Sequence, residues 1–222
     1  MTSWFPYTSS ILSVPCAFCT AQLWSSSGAL LRSAMTMGLH LDPANIKHVS
    51  PYQMETRKWL WASVLESEVQ IAVMTGIPLV IPELGSYCPV PANLNDEDFD
   101  ESSAKLPSPR PLCDLTDSLY QISLAMSLPQ RIKAFWVVQR SIPDMNEAIE
   151  VGHEIQRCWC SLPLTLSLQH SQPTTSDRGG LLHHILLDFY IRRVLLYLYR
   201  LLLFGFQEYQ GKVAATDTLQ DN

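Results

Sequence analysis

Charge is what this 222-residue sequence has least of. Only 16% of its residues are Asp, Glu, Lys or Arg, well under the usual quarter, which sets it apart from disordered tails and heavily solvated chains. It also lacks a basic stripe. The net charge is −6, and the paired bases Arg57-Lys58 and Arg192-Arg193 each sit in an apolar helical context. A duplex-binding face needs clustered cations to neutralise phosphates, so direct nucleic-acid contact is not expected. Closely spaced cysteines are missing as well. Cys16 and Cys19 form a pair, but Cys88, Cys113, Cys158 and Cys160 follow at long intervals. Two zinc ions sharing six thiolates need all six within about thirty residues, which this spacing cannot supply. The pair is instead expected to be two small buried hydrophobes. The opening Trp4-Phe5-Pro6-Tyr7 has neither a basic leader nor a long apolar core, which argues against secretion and for reduced thiols.

Catalytic signatures are absent too. There is no Gly-x-Ser-x-Gly elbow, no phosphate-cradling glycine loop, no dinucleotide fingerprint and no His-Glu-x-x-His. His183, His184 and Asp188 come nearest to a metal site, but two ligands one helical turn apart are too few to define one. Residues 93–101 hold five acidic side chains without the glycine and closing Glu of a calcium loop, so they read as a solvated acidic loop. We assign no catalytic, cofactor-binding, metal or DNA-contacting residue, and expect no cofactor.

Apolar residues make up 47% of the chain and can fill a sizeable core. Trp24, Gly28, Leu31, Met35 and Leu39 recur at helical spacing, predicting a first helix from Ala17 to about Leu39 that Pro43 forbids from continuing. Ser50-Pro51-Tyr52-Gln53 combines an N-cap, a first-turn proline and a Gln at the third position. That is a capping box for a second helix, which Gly76 and Pro78 end. Trp61, Leu65, Glu68 and Ala72 share its inner face, widened by Leu60, Val64 and Ile71. Glu68 there requires partial exposure or a partner such as an arginine of a neighbouring helix; Arg200, alone among leucines, is one candidate.

Prolines at 78, 82, 89, 91, 107, 109 and 111 make residues 77–115 an irregular connection. Thr116 is the expected N-cap of a helix with Leu119, Ile122 and Met126 inward, interrupted at Pro129 before a second piece through Ile132, Phe135 and Trp136. Pro143-Asp144 opens another, with Met145, Ile149, Gly152, Ile155 and Trp159 in phase before Leu162-Pro163. Residues His170 to Gly180 read as a loop. Leu181 to about Tyr209 reads as a core helix, because Asp188, Arg192, Arg193 and Arg200 make a membrane span costly and Asp188 and Arg192 pair at the favourable spacing of four. No strand alternation competes. The fold class is all-α: an irregular multi-helix bundle with a long proline-rich, acidic connecting loop.

Several of these motifs together resemble the middle regulatory region of fungal zinc-cluster (Zn2Cys6) transcription factors. Gly38-Leu39-His40-Leu41-Asp42 matches the turn that ends one helix of that family. Arg57, Leu60 and Trp61 match the opening of the next, Glu68 stands where the family has an Asp, and Gly76-Ile77-Pro78 replaces Gly-Arg-Pro. Pro91, Asn93, Asp96 and Asp98 are similar to the segment that follows, as are Trp159 and Leu162-Pro163 further on. At Tyr199-Arg200-Leu201 only the arginine is kept.

The resemblance runs from about Ile11 to Phe206. It implies a nuclear regulatory domain for metabolic or secondary-metabolite genes, spanning residues 1–222 as a single, N-terminally truncated unit. Without the zinc cluster, such a chain is expected to act through a protein partner or as a homo-oligomer, with no membrane contact. Helices missing upstream would uncover apolar surface on the first two helices. His40 is expected to cap the end of helix one by bonding its freed carbonyls. The alternative is a small all-α ligand-binding protein or enzyme whose cavity is lined by Trp59, Trp61, Trp136 and Trp159.

Overall fold

Helix boundaries in this chain are set by a few capping residues. The structure, a computed structural model, describes residues 17–81, 90–140, 144–163, 166, 181–200 and 203. Helix α1 spans Ala17–Thr36, α2 Pro51–Thr75, α3 Leu119–Gln139 and α4 Met145–Cys160. A fifth helix, α5, covers residues 181–200. There is no strand among the described residues, and no helix there is long and apolar enough to cross a membrane.

Helix α1 stops three residues earlier than its apolar stripe suggests. Gly38 takes a left-handed φ of 69°, and the amides of Gly38 and Leu39 reach back to the carbonyls of Met35 at 2.9 Å and Ala34 at 3.0 Å. That pair of bonds is a Schellman stop, which only a residue tolerating positive φ makes cheaply. Asp42 then caps a short 3-10 turn at Pro43–Asn45. The expected capping box opens α2: the Gln53 amide donates to Ser50 Oγ at 3.2 Å, and the Ser50 amide to Gln53 Oε1 at 3.1 Å. Gly76, at φ 67°, ends it.

Helix α3 departs from expectation. It runs unbroken through Pro129, because the ring removes one donor and the same turn is tied by side chains: Ser127 Oγ and Arg131 both donate to the Leu124 carbonyl at 2.9 Å. Nor is Thr116 its cap. Its hydroxyl donates to Asn93 Oδ1, and Ser118 occupies the N-cap position. Asp144 caps α4, accepting from the amides of Asn146 and Glu147.

The helices pair as α1 against α2 and α3 against α4, with α2 crossing α3. One apolar cluster collects Leu31 from α1, Trp61 and Leu65 from α2, Phe135 from α3, Val151 from α4, and Ile191 from α5. Three residues assigned inward face out instead: Leu60, Met126 and Ile149 are each more than two-fifths exposed. Trp24 is also exposed, as is Cys19, which therefore is not a buried hydrophobe. Cys16, the loop from His170 to Gly180 and the end of the last helix near Tyr209 lie outside the described residues.

Candidate functional site

The first group of motif residues meets where α1 hands over to α2. Arg57, one turn into α2, donates through one guanidinium nitrogen to the carbonyls of Met37 at 3.1 Å and Gly38 at 2.7 Å. Both carbonyls lie just past the end of the helix, and that of Gly38 also accepts from the Leu41 amide at 3.2 Å. His40 does not cap them: its Nδ1 is buried without a hydrogen bond among the described residues, and its ring lies 6.2 Å from that of Trp61 at a 60° tilt. Arg57 has the longer reach and the permanent charge, so it takes the role expected of His40.

Glu68 is fully buried on α2, but its partners among the described residues are not bases. Ser27 Oγ of α1 donates to one carboxylate oxygen, and the Val80 amide donates to the other at 3.3 Å. The pairing with Arg200 is not formed. A carboxylate between two helices and a returning chain is stabilised by such donors without a counter-ion. Glu55, one end earlier, has both kinds of partner, accepting from the Ala92 amide and pairing with Lys58 at 3.2 Å. Asn93 completes the set: its amide donates to the carbonyls of Arg110, Pro111 and Asp114 at 2.8–3.3 Å. These residues fasten the described part of the proline-rich connection onto α2, and Arg110 pairs with Asp98 at 2.7 Å. The acidic loop is thus a tied structure, with Asp100 held below the usual carboxylate range by hydroxyls of Ser102 and Ser103.

A second polar group was not anticipated. Arg131 of α3 is fully buried and grips Glu66 of α2 with two nitrogens, at 2.8 and 2.6 Å. Ser127 Oγ accepts from its Nε at 3.1 Å and the Leu124 carbonyl from Nη2 at 2.9 Å. Gln70 donates to Glu66 at 2.7 Å and accepts from Arg193 of α5 at 3.4 Å. One network therefore crosses three helices. Nothing in the sequence distinguished Arg131 from a surface arginine; its only signal was its place between Leu128 and Phe135 on an apolar face.

Above this network lies a cleft of about 520 Å³, lined by Glu66, Gln70, Asp117, Tyr120, Gln121 and Tyr190 among others. Burial, with Tyr190 and Glu66 nearby, holds the Tyr120 phenol well above its ordinary value, so it stays protonated and able to donate. The lining serines are committed to Gln121 and to backbone carbonyls and are not poised beside a base. Such an arrangement can bind and orient a small molecule, but it displays no activated nucleophile.

The remaining candidates are scattered. His183 stacks on Tyr120 at 4.7 Å, while His184 donates from Nδ1 to the Leu166 carbonyl and packs on Trp159. Asp188 pairs with Arg192 as the spacing required. Among the described residues no three metal-ligating side chains gather. Of the four tryptophans, Trp61 is in the core, Trp136 and Trp159 pack against it, and Trp159 borders a cleft of about 690 Å³ between α4 and α5. Cys158 beside it is kept protonated by burial and by Glu154.

Comparison with known proteins places this architecture. The profile of the fungal specific transcription factor domain matches residues 10–180. The chain is 35% identical over 183 residues to transcription factor opdR of Penicillium oxalicum, which covers 80% of this chain and 23% of that protein. It is 30% identical to the pyrrolocin cluster transcription factor fsdR of a fungal species, over 65% of this chain and 19% of the relative. It is 29% identical to the Zn(2)-C6 fungal-type transcription factor pigI of Monascus ruber, over 70% of this chain and 19% of the relative. The chain spans less than a quarter of the length of these relatives. No solved structure matches it significantly.

Proposed function

The chain belongs to the fungal specific transcription factor domain family, and from that premise we propose that it is the regulatory body of a transcription regulator. Its field of action in this reading is a set of metabolic genes, in particular those for a secondary metabolite. The observation that carries the proposal is the match over residues 10–180, in which motif residues become the pins of one helical body: Arg57 on the end of α1, Glu68 between α1 and the chain after α2, Asn93 on the acidic connection. The printed names of relatives support the pathway class, since fsdR is the regulator of a pyrrolocin cluster.

Several features shape how such a body works. A net charge of −6 and the absence of six crowded cysteines leave these 222 residues without a promoter-gripping surface. They act in the nucleus through a protein partner or a second copy. No direct contact with nucleic acid or membrane, and no cofactor, is part of the role. The enzyme alternative is not the favoured reading, because the family and the relatives it matches are transcription factors.

The test is to tether the 222 residues to a heterologous DNA-binding domain and measure a reporter in fungal nuclei. The expected result is a change of reporter output, up or down, that is lost when Arg131 is replaced. Output identical to that of the DNA-binding domain alone would remove the proposal's functional support.

A further inference from the structure

The cleft of about 520 Å³ where α2, α3 and α5 meet is built from positions one helical turn apart. Ala62, Glu66 and Gln70 contribute one face of α2, while Gln121 and Ala125 come from α3 and Asp117 from just ahead of it. Ala62 and Ala125 are buried, and two such small side chains leave room that larger ones would fill. Tyr120 and Tyr190 supply aromatic walls, with His183 stacked on the Tyr120 ring at 4.7 Å. The volume is that of a small-molecule site.

The charges of this lining have one sign. Glu66 and Asp117 border the cleft, and among its described lining residues there is no Lys, Arg or His. The ion pair beneath does not cancel them. The Arg131 side chain is wholly covered, whereas that of Glu66 keeps 16% of its surface exposed, so the pair turns its carboxylate outward. The Tyr120 phenol registers that direction: burial raises it most, then Tyr190 and Glu66, and Arg131 opposes them by less than Glu66 contributes. Asp117 accepts from the Asp96 amide at 3.1 Å and pairs with no base among the described residues. Arg193, close by, is held by Gln70 at 3.4 Å and lies over the Phe189 ring.

The hydrogen-bonding groups follow the same bias. Gln121 uses its amide nitrogen on the Trp59 carbonyl at 3.0 Å and on Ser63 Oγ at 2.7 Å, which leaves its Oε1 as an acceptor. Gln70 turns its own nitrogen to Glu66 at 2.7 Å. An occupant matched to such a lining brings donors and positive charge. An ammonium group is attracted by carboxylates and by the faces of tyrosine rings alike. A carboxylate or phosphate would instead meet Glu66 and Asp117 with like charge.

We propose that the cleft between α2, α3 and α5 is a binding site for a small organic amine. Asp117 and Glu66 hold its ammonium, and its flat apolar body lies between Tyr120 and Tyr190 against the two alanines. An occupant there touches three helices of the bundle at once. The site goes beyond the regulatory role, and its binding is measured directly, apart from any reporter.

Isothermal titration calorimetry on the 222-residue chain tests it with three probes that share an indole ring. Tryptamine is a cation at neutral pH, tryptophol is its neutral alcohol counterpart, and indole-3-acetate is an anion. Tryptamine is expected to bind, tryptophol at least about tenfold more weakly, as for loss of a charged hydrogen bond, and indole-3-acetate to give no saturable heat. Asp117→Asn keeps an oxygen for the Asp96 amide but removes the charge, so it weakens tryptamine by about the same factor and leaves tryptophol within about twofold. Ser67→Lys, also in the lining, supplies a tethered ammonium and excludes tryptamine. Thermal melts establish that both variants are folded. Absence of saturable tryptamine binding overturns the proposal. So does equal affinity for the three probes, or tryptamine affinity unchanged in either folded variant.

Discussion

Arg131 is the residue on which the polar interior of this bundle depends. Its charge is fully buried and is compensated by Glu66, Ser127 and the Leu124 carbonyl. Removing one partner of such a pair leaves the other charge buried and uncompensated, which costs about 3–5 kcal/mol. Arg131→Ala is therefore expected to destabilise the protein by that order in urea melts. Glu66→Ala is expected to cost a similar amount, and the double variant clearly less than the sum. Additive losses would show that the pair is not coupled. Glu68 teaches the complementary lesson. An inward carboxylate on an apolar stripe required either a partner or partial exposure, and it is buried with partners. Sequence spacing favoured a base, yet the packing of α1 against α2 brought Ser27 within reach first.

At the scale of the element, starts and stops are local chemistry. Ser50, Pro51 and Gln53 open α2 as read, and Gly76 closes it. The stop of α1 is more demanding, because Gly38 has φ 69° and its missing Cβ would lie 3.4 Å from Arg57. Gly38→Ala is expected to cost about 1–2 kcal/mol through left-handed strain, and Gly38→Asn less. Thermal melts compare them; equal stability of the alanine variant would mean that the turn rearranges without penalty. Pro129 shows the opposite case. A proline ordinarily marks a helix boundary, but packing on both sides keeps α3 continuous and side chains serve the turn it disturbs. Met126 and Ile149 were placed inward by period alone; the period is right, but the buried arc of each helix is narrower than its apolar arc.

For the molecule as a whole, one apolar cluster draws on all five helices, so none has a core of its own. Unfolding is then expected to be a single cooperative transition. Tryptophan fluorescence, which reports buried Trp61, and far-ultraviolet circular dichroism should give coincident urea curves. Two separated midpoints would show that the helical pairs α1–α2 and α3–α4 are independent units.

What these 222 residues determined by themselves was the class and the punctuation. Helical period, caps and prolines act within a few residues of chain, and they suffice for an all-α bundle with an irregular acidic connection. Family membership was legible for the same reason, since its motifs are short and local. Long-range choices belonged to the tertiary structure. Which donor reaches Glu68, why Arg131 can be buried, and that Arg57 rather than His40 caps α1 all depend on side chains brought together from distant segments. No window of sequence contains that distance, and only the packed helices supply it.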